Sequence, residues 1–170
     1  AVHEMKHEKV EPVPTTMIDL GMSTYIPKNY IPLDRHRMDA YRKIAVARTP
    51  ADLQQIEGEL ADVYGPLPEE VKLLLDIGEL RIAASQHGLR AIAAQPPEPG
   101  YFPGTMKPTG DLIFTFKQDP GRAAKTLFAQ VRGEVRIPDP KTVRLRLAAS
   151  YFEPRTLIGL LRKIFSKGVS

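Results

Sequence analysis

Only a few groups of residues in this chain have the types and spacing of a chemical site. His3-Glu4-Met5-Lys6-His7 matches H-E-x-x-H, which on a helix places two imidazoles on one face to bind zinc, with a glutamate beside them as general base. The segment is terminal, charged on every side and followed by a proline-rich stretch, whereas zinc hydrolysis needs a rigid cavity, a third ligand and supporting hydrogen bonds. We interpret the match as a solvated helix end. A zinc peptidase is kept as a hypothesis that metal analysis can exclude.

A second candidate is Gly121–Thr126, which ends in Lys-Thr like a phosphate-binding loop. The glycine that should precede the lysine is absent, and so is the required strand-to-loop pattern, so the segment predicts a capped helix start. His36 and His87 are isolated and predict surface or cap positions. The sequence therefore predicts no catalytic residue, no cofactor and no metal.

Composition narrows the class of protein further. The chain has 170 residues, of which 42% are apolar and 26% are charged, a balance typical of one globular domain. It contains no cysteine, which excludes disulfide frameworks, thiolate metal sites and cysteine nucleophiles. No apolar run is long enough to span a bilayer, and the N-terminus is too polar for a signal peptide. We expect a cytoplasmic protein, and the opening in mid-pattern suggests a fragment of a longer chain.

Charge is distributed unevenly along the chain. Residues 120–170 contain 11 Lys and Arg residues against 3 acids, whereas residues 1–119 hold 13 basic and 17 acidic residues. Arg144 and Arg146 alternate with apolar residues and predict a strand with one basic face. Such a face could follow a phosphate backbone, so a nucleic-acid-binding module is an alternative function. A solvated strand face and an acidic protein partner are the other two interpretations.

The elements that would position these residues follow from periodicity. A strand over 15–20 precedes an extended arm with two Ile-Pro pairs, and helices are predicted from Asp34, from Pro50 to Gly65 and from Pro68 to His87. The first two helices should each bury one apolar stripe, and the third helix should bury two. The predicted inward residues of the first two helices are Met38, Tyr41, Ile44, Ala45, Leu53, Ile56, Leu60 and Val63.

The second half alternates between strands and helices. Strands are predicted over 89–94, 111–117 and 142–147. Two helices are also predicted, one capped by Asp119-Pro120 and ended by Gly133, and a terminal one over 154–167. Residues 95–110, rich in Pro and Gly, predict a long surface loop. The fold class is therefore α+β, a single compact domain with a small mixed β-sheet and about five helices.

The order of these elements, with several motifs, resembles a known family. Met17–Leu20, Tyr25–Pro27, Arg37–Ile44 and above all Glu59-Leu60-Ala61-Asp62-Val63-Tyr64-Gly65-Pro66-Leu67-Pro68 are similar to the C-terminal (TRCF) domain of the bacterial transcription-repair coupling factors, the Mfd family. The resemblance is dense over residues 15–90 and architectural over 111–167. Val63 stands where the family motif has arginine.

The resemblance implies a non-catalytic, regulatory domain, whose parent protein would be an ATP-dependent DNA translocase. In the family this domain docks on an N-terminal module resembling UvrB and masks the surface that recruits UvrA until the factor is remodelled on a stalled RNA polymerase. Glu59 and Asp62 are the acids inside the matching motif and are predicted to contact the partner. Asp52 shares their polar helix stripe but also serves as a capping residue. The implied keywords are DNA repair and autoinhibition.

The domain boundary generates the first prediction. Residues 1–14 are read as a linker from a preceding helicase domain and 15–170 as the regulatory domain. Because a polar terminus ending in two prolines buries little apolar area, a chain starting at Thr15 should melt within a few degrees of the full chain. Thermal unfolding followed by circular dichroism measures this. An unfolded truncation would show that the boundary is wrong.

Overall fold

A computed structural model describes residues 12–100, 104 and 107–167. The elements follow the chain in this order: β1 (Met17–Asp19), α1 (Asp34–Ala45), α2 (Pro50–Tyr64), α3 (Glu69–Gln86), β2 (Leu89–Gln95), β3 (Thr109–Phe116), α4 (Arg122–Phe128), β4 (Glu134–Asp139), β5 (Thr142–Ala148), a 3-10 turn (Ala149–Phe152) and α5 (Pro154–Lys167). The predicted α+β class is confirmed. No helix in the described part of the chain is long and apolar enough to cross a membrane.

The sheet has five strands in the order β1-β2-β3-β5-β4. β1 pairs with β2 in parallel, and all the other pairs are antiparallel. Side chains alternate between the two faces of a strand, and one face of this sheet carries Leu112, Phe114, Val143 and Leu145, all buried under the helices. The opposite face carries mostly polar and small residues, together with Ile113 and Met17. The sheet is mixed, as predicted.

Helix α3 separates two apolar cores. Leu73, Ile77, Leu80 and Ala84 pack with the sheet and α5, whereas the opposite side of α3 packs with α1, α2 and the extended arm through Val71, Leu75 and Ile82. Gly78 lets α1 and α2 pack close to α3, because a Cβ at this position would lie 3.3 Å from Leu53 of α2 and 3.4 Å from Ile44 of α1. The prediction of two apolar faces on this helix is confirmed.

The arm between β1 and α1 is fixed by hydrogen bonds to the helices. The Tyr41 hydroxyl accepts from the backbone N–H of Ile26 at 2.6 Å, and the Tyr30 hydroxyl donates to the carbonyls of Leu60 and Gly65 at 3.2 and 2.9 Å. Ile31 is fully buried. The arm thus joins the end of α2 to the core, and the Ile-Pro pairs keep it extended.

Strand β4 was not predicted. Val135 and Ile137 alternate as a strand requires, but Pro138 argues against a strand that is hydrogen-bonded on both sides. The structure places β4 at the sheet edge, where proline is tolerated, and its pairing with β5 shifts register between Arg136 and Asp139. All six of its residues are exposed.

Three expected core positions in the first two helices are wrong. Met38 and Val63 are 60% and 71% exposed, and Ala45 is also exposed, while Ala40 is buried instead. The cause is the same in both helices. Each packs against α3 along a narrow stripe, because two helices in contact cover less than half of each other's surface. Apolar residues beside that stripe stay in solvent.

Helix α4 is shorter than predicted and starts later. It begins at Arg122 with Gly121, at φ 55°, in the capping position, and ends at Phe128 rather than near Gly133. The Asp119 carboxylate still accepts a hydrogen bond, from the Gly121 N–H at 2.9 Å. Asp119 therefore closes the turn before the helix instead of capping the helix itself.

Replacing glycine by alanine should have opposite effects on stability at two positions, Gly110 and Gly58. A Cβ on Gly110 in β3 would lie 2.6 Å from the Gln95 carbonyl oxygen and 2.7 Å from the Phe152 ring, whereas a Cβ on Gly58 in α2 meets nothing within 4 Å. Gly110→Ala should lower the free energy of unfolding by about 1–3 kcal/mol through overpacking. Gly58→Ala should raise it by up to about 1 kcal/mol through helix propensity. Urea denaturation checks both; two changes of the same sign would contradict the packing described.

Candidate docking surface

A shallow groove of about 200 Å³ lies between α1 and α2. Its floor is apolar, with Ala40, Ile56 and Leu60, because these residues continue the contact of both helices with the core. Its rim is polar. The remaining lining residues are His36, Asp39, Lys43, Glu59, Val63 and Tyr64. The groove therefore combines an apolar base with charged edges at the segment that carries the family motif.

Asp52 is engaged in the local structure of α2. The Thr49 side chain accepts from the Asp52 N–H at 3.2 Å, and the Asp52 carboxylate accepts from the backbone N–H groups of Arg48 and Thr49 at 3.0 and 3.2 Å. The result is a capping box with Pro50 at the first helical position. Hydrogen bonding, chiefly from the Arg48 N–H, lowers the pKa of Asp52. The predicted double role of Asp52 is therefore dominated by capping.

Glu59 is exposed but has partners within the chain. Its carboxylate lies 3.8 Å from the Lys43 ammonium and accepts from the Gln55 side chain at 3.2 Å. Lys43 also contacts Asp39 at 3.6 Å. Exposed pairs of this kind contribute at most about 1 kcal/mol. They hold Glu59 in place without removing it from solvent.

Asp62 differs from the other two acids of the stripe. It is exposed, and among residues 12–100, 104 and 107–167 no hydrogen bond or ion pair engages its carboxylate. Next to it, Val63 exposes 71% of its surface. The carboxylate and the valine are thus both exposed near the end of α2, and Val63 also lines the groove.

The end of α2 is held by an aromatic and hydroxyl cluster. The Tyr30 and Tyr64 rings lie 5.6 Å apart, and burial, with the nearby Tyr64, raises the pKa of Tyr30. Gly65 stops the helix at φ 88°, a backbone conformation that glycine adopts without strain. The Tyr64 hydroxyl lies 3.4 Å from Nδ1 of His36. This cluster fixes the direction in which the acid stripe faces.

The predicted basic strand face is largely neutralised inside the domain. Arg144 donates to Asp111 at 2.9 Å and to Gln95 at 3.1 Å, and Arg146 donates to Asp111 at 3.3 Å. Asp111 exposes only 13% of its side chain. Burial alone would raise the pKa of Asp111, but the hydrogen bonds and charges of the two arginines hold that pKa below its usual value.

Two more arginines of the basic third are paired with α3. Arg155 contacts Glu69 at 2.6 Å and also Asp76, and Arg162 contacts Asp76 at 2.6 Å and Glu79 at 3.3 Å. The sequence separates these groups by about eighty residues, so the pairs were not foreseeable from spacing. They bind α5 to α3 electrostatically.

The described residues offer no metal or phosphate site where the sequence suggested one. They contain no cluster of three or more His, Asp or Glu side chains that could hold a metal ion, and His3, Glu4 and His7 lie outside the described residues. Lys125 and Thr126 lie within α4. This helix does follow a strand, β3, contrary to the sequence analysis, but the Asp119 carboxylate occupies the turn before it. A bound phosphate would be repelled there.

The two predicted histidines lie apart: His36 lines the α1–α2 groove together with Glu59, whereas His87 does not. His87 is the C-terminal capping residue of α3, as predicted, and stacks on Phe165 at 5.3 Å, far along the chain from His36. The residues that sequence analysis missed are His36 and Lys43 as groove-lining groups. The spacing of Asp39 and Lys43 at i and i+4 was the available signal for the latter.

Comparison with known proteins identifies the motif-bearing half of the chain. The family model described as the TRCF domain matches residues 20–100. The transcription-repair-coupling factor of Escherichia coli K12 is 38% identical over 77 residues, covering 45% of this chain and 7% of that protein. That of Staphylococcus aureus USA300 is 32% identical over 94 residues, covering 54% and 8%. The chain thus spans less than a tenth of the length of these relatives.

A solved structure extends the likeness to nearly the whole fold. The crystal structure of the C-terminal domain of a transcription-repair coupling factor superposes with a TM-score of 0.64 at 15% identity, covering 93% of this chain and 98% of that one. At this identity the superposition establishes the fold alone. Together with the family match, it supports the resemblance seen in the sequence: residues 20–100 match the TRCF domain model, and the chain has the fold of the C-terminal domain of a transcription-repair coupling factor.

Proposed function

We propose that this chain is a regulatory docking domain that prevents a transcription-repair coupling factor from recruiting UvrA. The observation that carries the proposal is the acid stripe of α2, in which Asp62 is exposed, has no hydrogen-bond or ion-pair partner among the described residues and adjoins the exposed Val63. Exposed helix positions with a free carboxylate beside an apolar side chain suit a basic surface with an apolar spot. Asp62 belongs to the motif shared with the TRCF family, whereas Val63 replaces the arginine of that motif.

The proposed partner is the UvrB-like N-terminal module of the same protein. Docking would cover the surface that recruits UvrA, and remodelling on RNA polymerase would expose it. The interface must open, which favours a small contact with a charged rim over an extensive apolar one. The α1–α2 groove, with its narrow apolar floor and charged edges, has that character.

The domain itself is proposed to be non-catalytic, with ATP hydrolysis and DNA translocation assigned to domains before it. Residues 1–14 would then be the linker from the helicase domain. Two observations support a boundary near Thr15: burial among the described residues starts at Pro14, the last residue assigned to the linker, and the Thr16 hydroxyl donates to the Leu89 carbonyl at 2.7 Å.

The alternative, DNA binding by the basic C-terminal third, is weaker in light of the ion pairs. Arg144 and Arg146 share Asp111, and Arg136 pairs with Glu134 at 2.8 Å. Cations that already face carboxylates release few counterions from a phosphate backbone. DNA contact by this face is therefore the second candidate function.

Charge reversal on α2 tests the proposal. Glu59→Lys with Asp62→Lys should change the free energy of unfolding by no more than about 0.5–1 kcal/mol, because both positions are exposed and the Lys43 pair is weak. In the full-length coupling factor the double reversal should release the domain and raise UvrA affinity by tenfold or more. Isothermal titration of UvrA onto the intact factor measures this.

A matched control uses two acids off the stripe. Glu57→Lys with Glu98→Lys makes the same change in net charge at exposed positions of α2 and of the loop after β2, and it should leave UvrA affinity unchanged. If the stripe reversal leaves UvrA affinity unchanged while circular dichroism shows a folded domain, the acid stripe is not the docking surface.

Removing the arginines of β5 separates structure from DNA binding. Arg144→Ala with Arg146→Ala should lower the free energy of unfolding at pH 7 by about 1–3 kcal/mol, because the mostly buried Asp111 carboxylate loses both of its ion-pair partners. The pairs stabilise the folded state above the unfolded pKa of Asp111, near 4, and that contribution is lost as the pH falls through the lowered folded pKa. The difference from wild type should therefore shrink below about pH 4. Unfolding curves between pH 3 and pH 7 measure it; a salt-sensitive DNA affinity abolished by the same variant would instead favour the nucleic-acid alternative.

A further inference from the structure

A second surface groove, larger than the one between α1 and α2, lies away from the acid stripe, between the end of α4 and α5. It has a volume of about 460 Å³. Leu127 and Ile164 form a buried floor, and Val131, Tyr151 and Leu160 are half-buried along it. Apolar side chains left partly open in a concave site are typical of places where another chain inserts a side chain.

The rim of this groove is basic and not neutralised from within. Arg132 and Lys163 line it and are exposed. Arg136, Arg144, Arg146, Arg155 and Arg162 of the same basic third all face carboxylates. Within the described ranges, by contrast, no acid lies within 4 Å of Arg132 or Lys163. The two cations are therefore free to pair with carboxylates from outside.

A glycine in the wall leaves the groove open. Gly159 lies in the middle of α5, where glycine costs about 1 kcal/mol relative to alanine. A Cβ at this position would meet nothing within 4 Å. The groove is therefore deeper than a side chain at 159 would allow, and no packing within the domain requires the glycine.

We propose that the α4–α5 groove binds a short acidic segment of a partner protein, with one large apolar side chain seated on Leu127, Leu160 and Ile164 and carboxylates paired with Arg132 and Lys163. The charge of the rim selects the acid, and the floor selects the apolar anchor. A nucleic acid would meet the cations but would find a single aromatic ring, that of Tyr151, among the lining residues, whereas successive bases bind mainly by stacking on several aromatic rings. This inference is independent of the acid stripe and of the UvrB-like partner.

Peptide selection tests the proposal without a known ligand. A library of random 12-residue peptides displayed on phage is selected on the 170-residue chain, and the enriched sequences are synthesised and titrated by fluorescence anisotropy. We expect enrichment of peptides that combine Asp or Glu with Leu, Ile or Phe, and a Kd of about 10–100 µM for so small a contact.

Two variants address the rim and the floor separately. Arg132→Glu with Lys163→Glu should raise the Kd of the selected peptides at least tenfold. Gly159→Leu, which places a side chain into the open space, should raise it to a similar extent without lowering the melting temperature. The control, Arg35→Glu with Lys72→Glu, makes the same charge change on exposed positions of α1 and α3 and should leave the Kd within twofold.

Each other result would overturn the proposal. If no selected peptide binds more weakly to both the Arg132/Lys163 variant and the Gly159→Leu variant, the groove is not a peptide site. Binding of a single-stranded 20-mer DNA that is lost in the Arg132/Lys163 variant, with no dependent peptide, would replace the acidic peptide by a nucleic acid. Self-association in analytical ultracentrifugation that Gly159→Leu abolishes would identify a second copy of this chain as the occupant.

Discussion

The burial of α3 on two opposite sides is the constraint on which the rest of the structure depends. One side closes the sheet and α5, and the other closes α1, α2 and the arm. A helix enclosed in this way cannot shift along its axis without disturbing both cores, because interiors are packed at the density of organic crystals. Through Gly78 it also fixes how closely α2 approaches. Gly78 therefore limits the distance between α2 and α3, while the cluster around Tyr30 and Tyr64 sets the direction in which the acid stripe faces.

Charge in this domain is arranged by three-dimensional pairing rather than by its distribution along the chain. The acids of α3 take up Arg155 and Arg162, and Asp111 takes up Arg144 and Arg146. The basic third of the sequence therefore does not become a uniformly basic surface. Asp62, Arg132 and Lys163 are among the exceptions within the part of the chain that the structure describes. Charges without internal partners are the ones available for recognition, since paired groups must lose a contact before they gain one.

The parts of the fold that were predictable are those with strong local signals. The Thr49-Pro50-Asp52 start of α2, the Gly65 stop, the double face of α3 and the alternation in β3 and β5 are all confirmed. Strand β4 was missed because an edge strand tolerates Pro138, and Met38 and Val63 were misplaced because local periodicity does not reveal how wide a helix contact is. The acid stripe was predictable as a stripe. The sequence did not reveal that Glu59 has a cationic partner while Asp62 has none among the described residues, because Lys43 meets Glu59 only through the packing of α1 on α2.

The short entry strand has a mechanical consequence. β1 contributes only Met17–Asp19, pairs in parallel with residues 91–93 and occupies the edge of the sheet. The Thr16 and Thr15 side chains add single hydrogen bonds to Leu89 and Lys117. A pulling force applied at Pro12 would therefore act first on a three-residue ladder and then on the arm, whose Tyr30 hydroxyl contacts the end of α2.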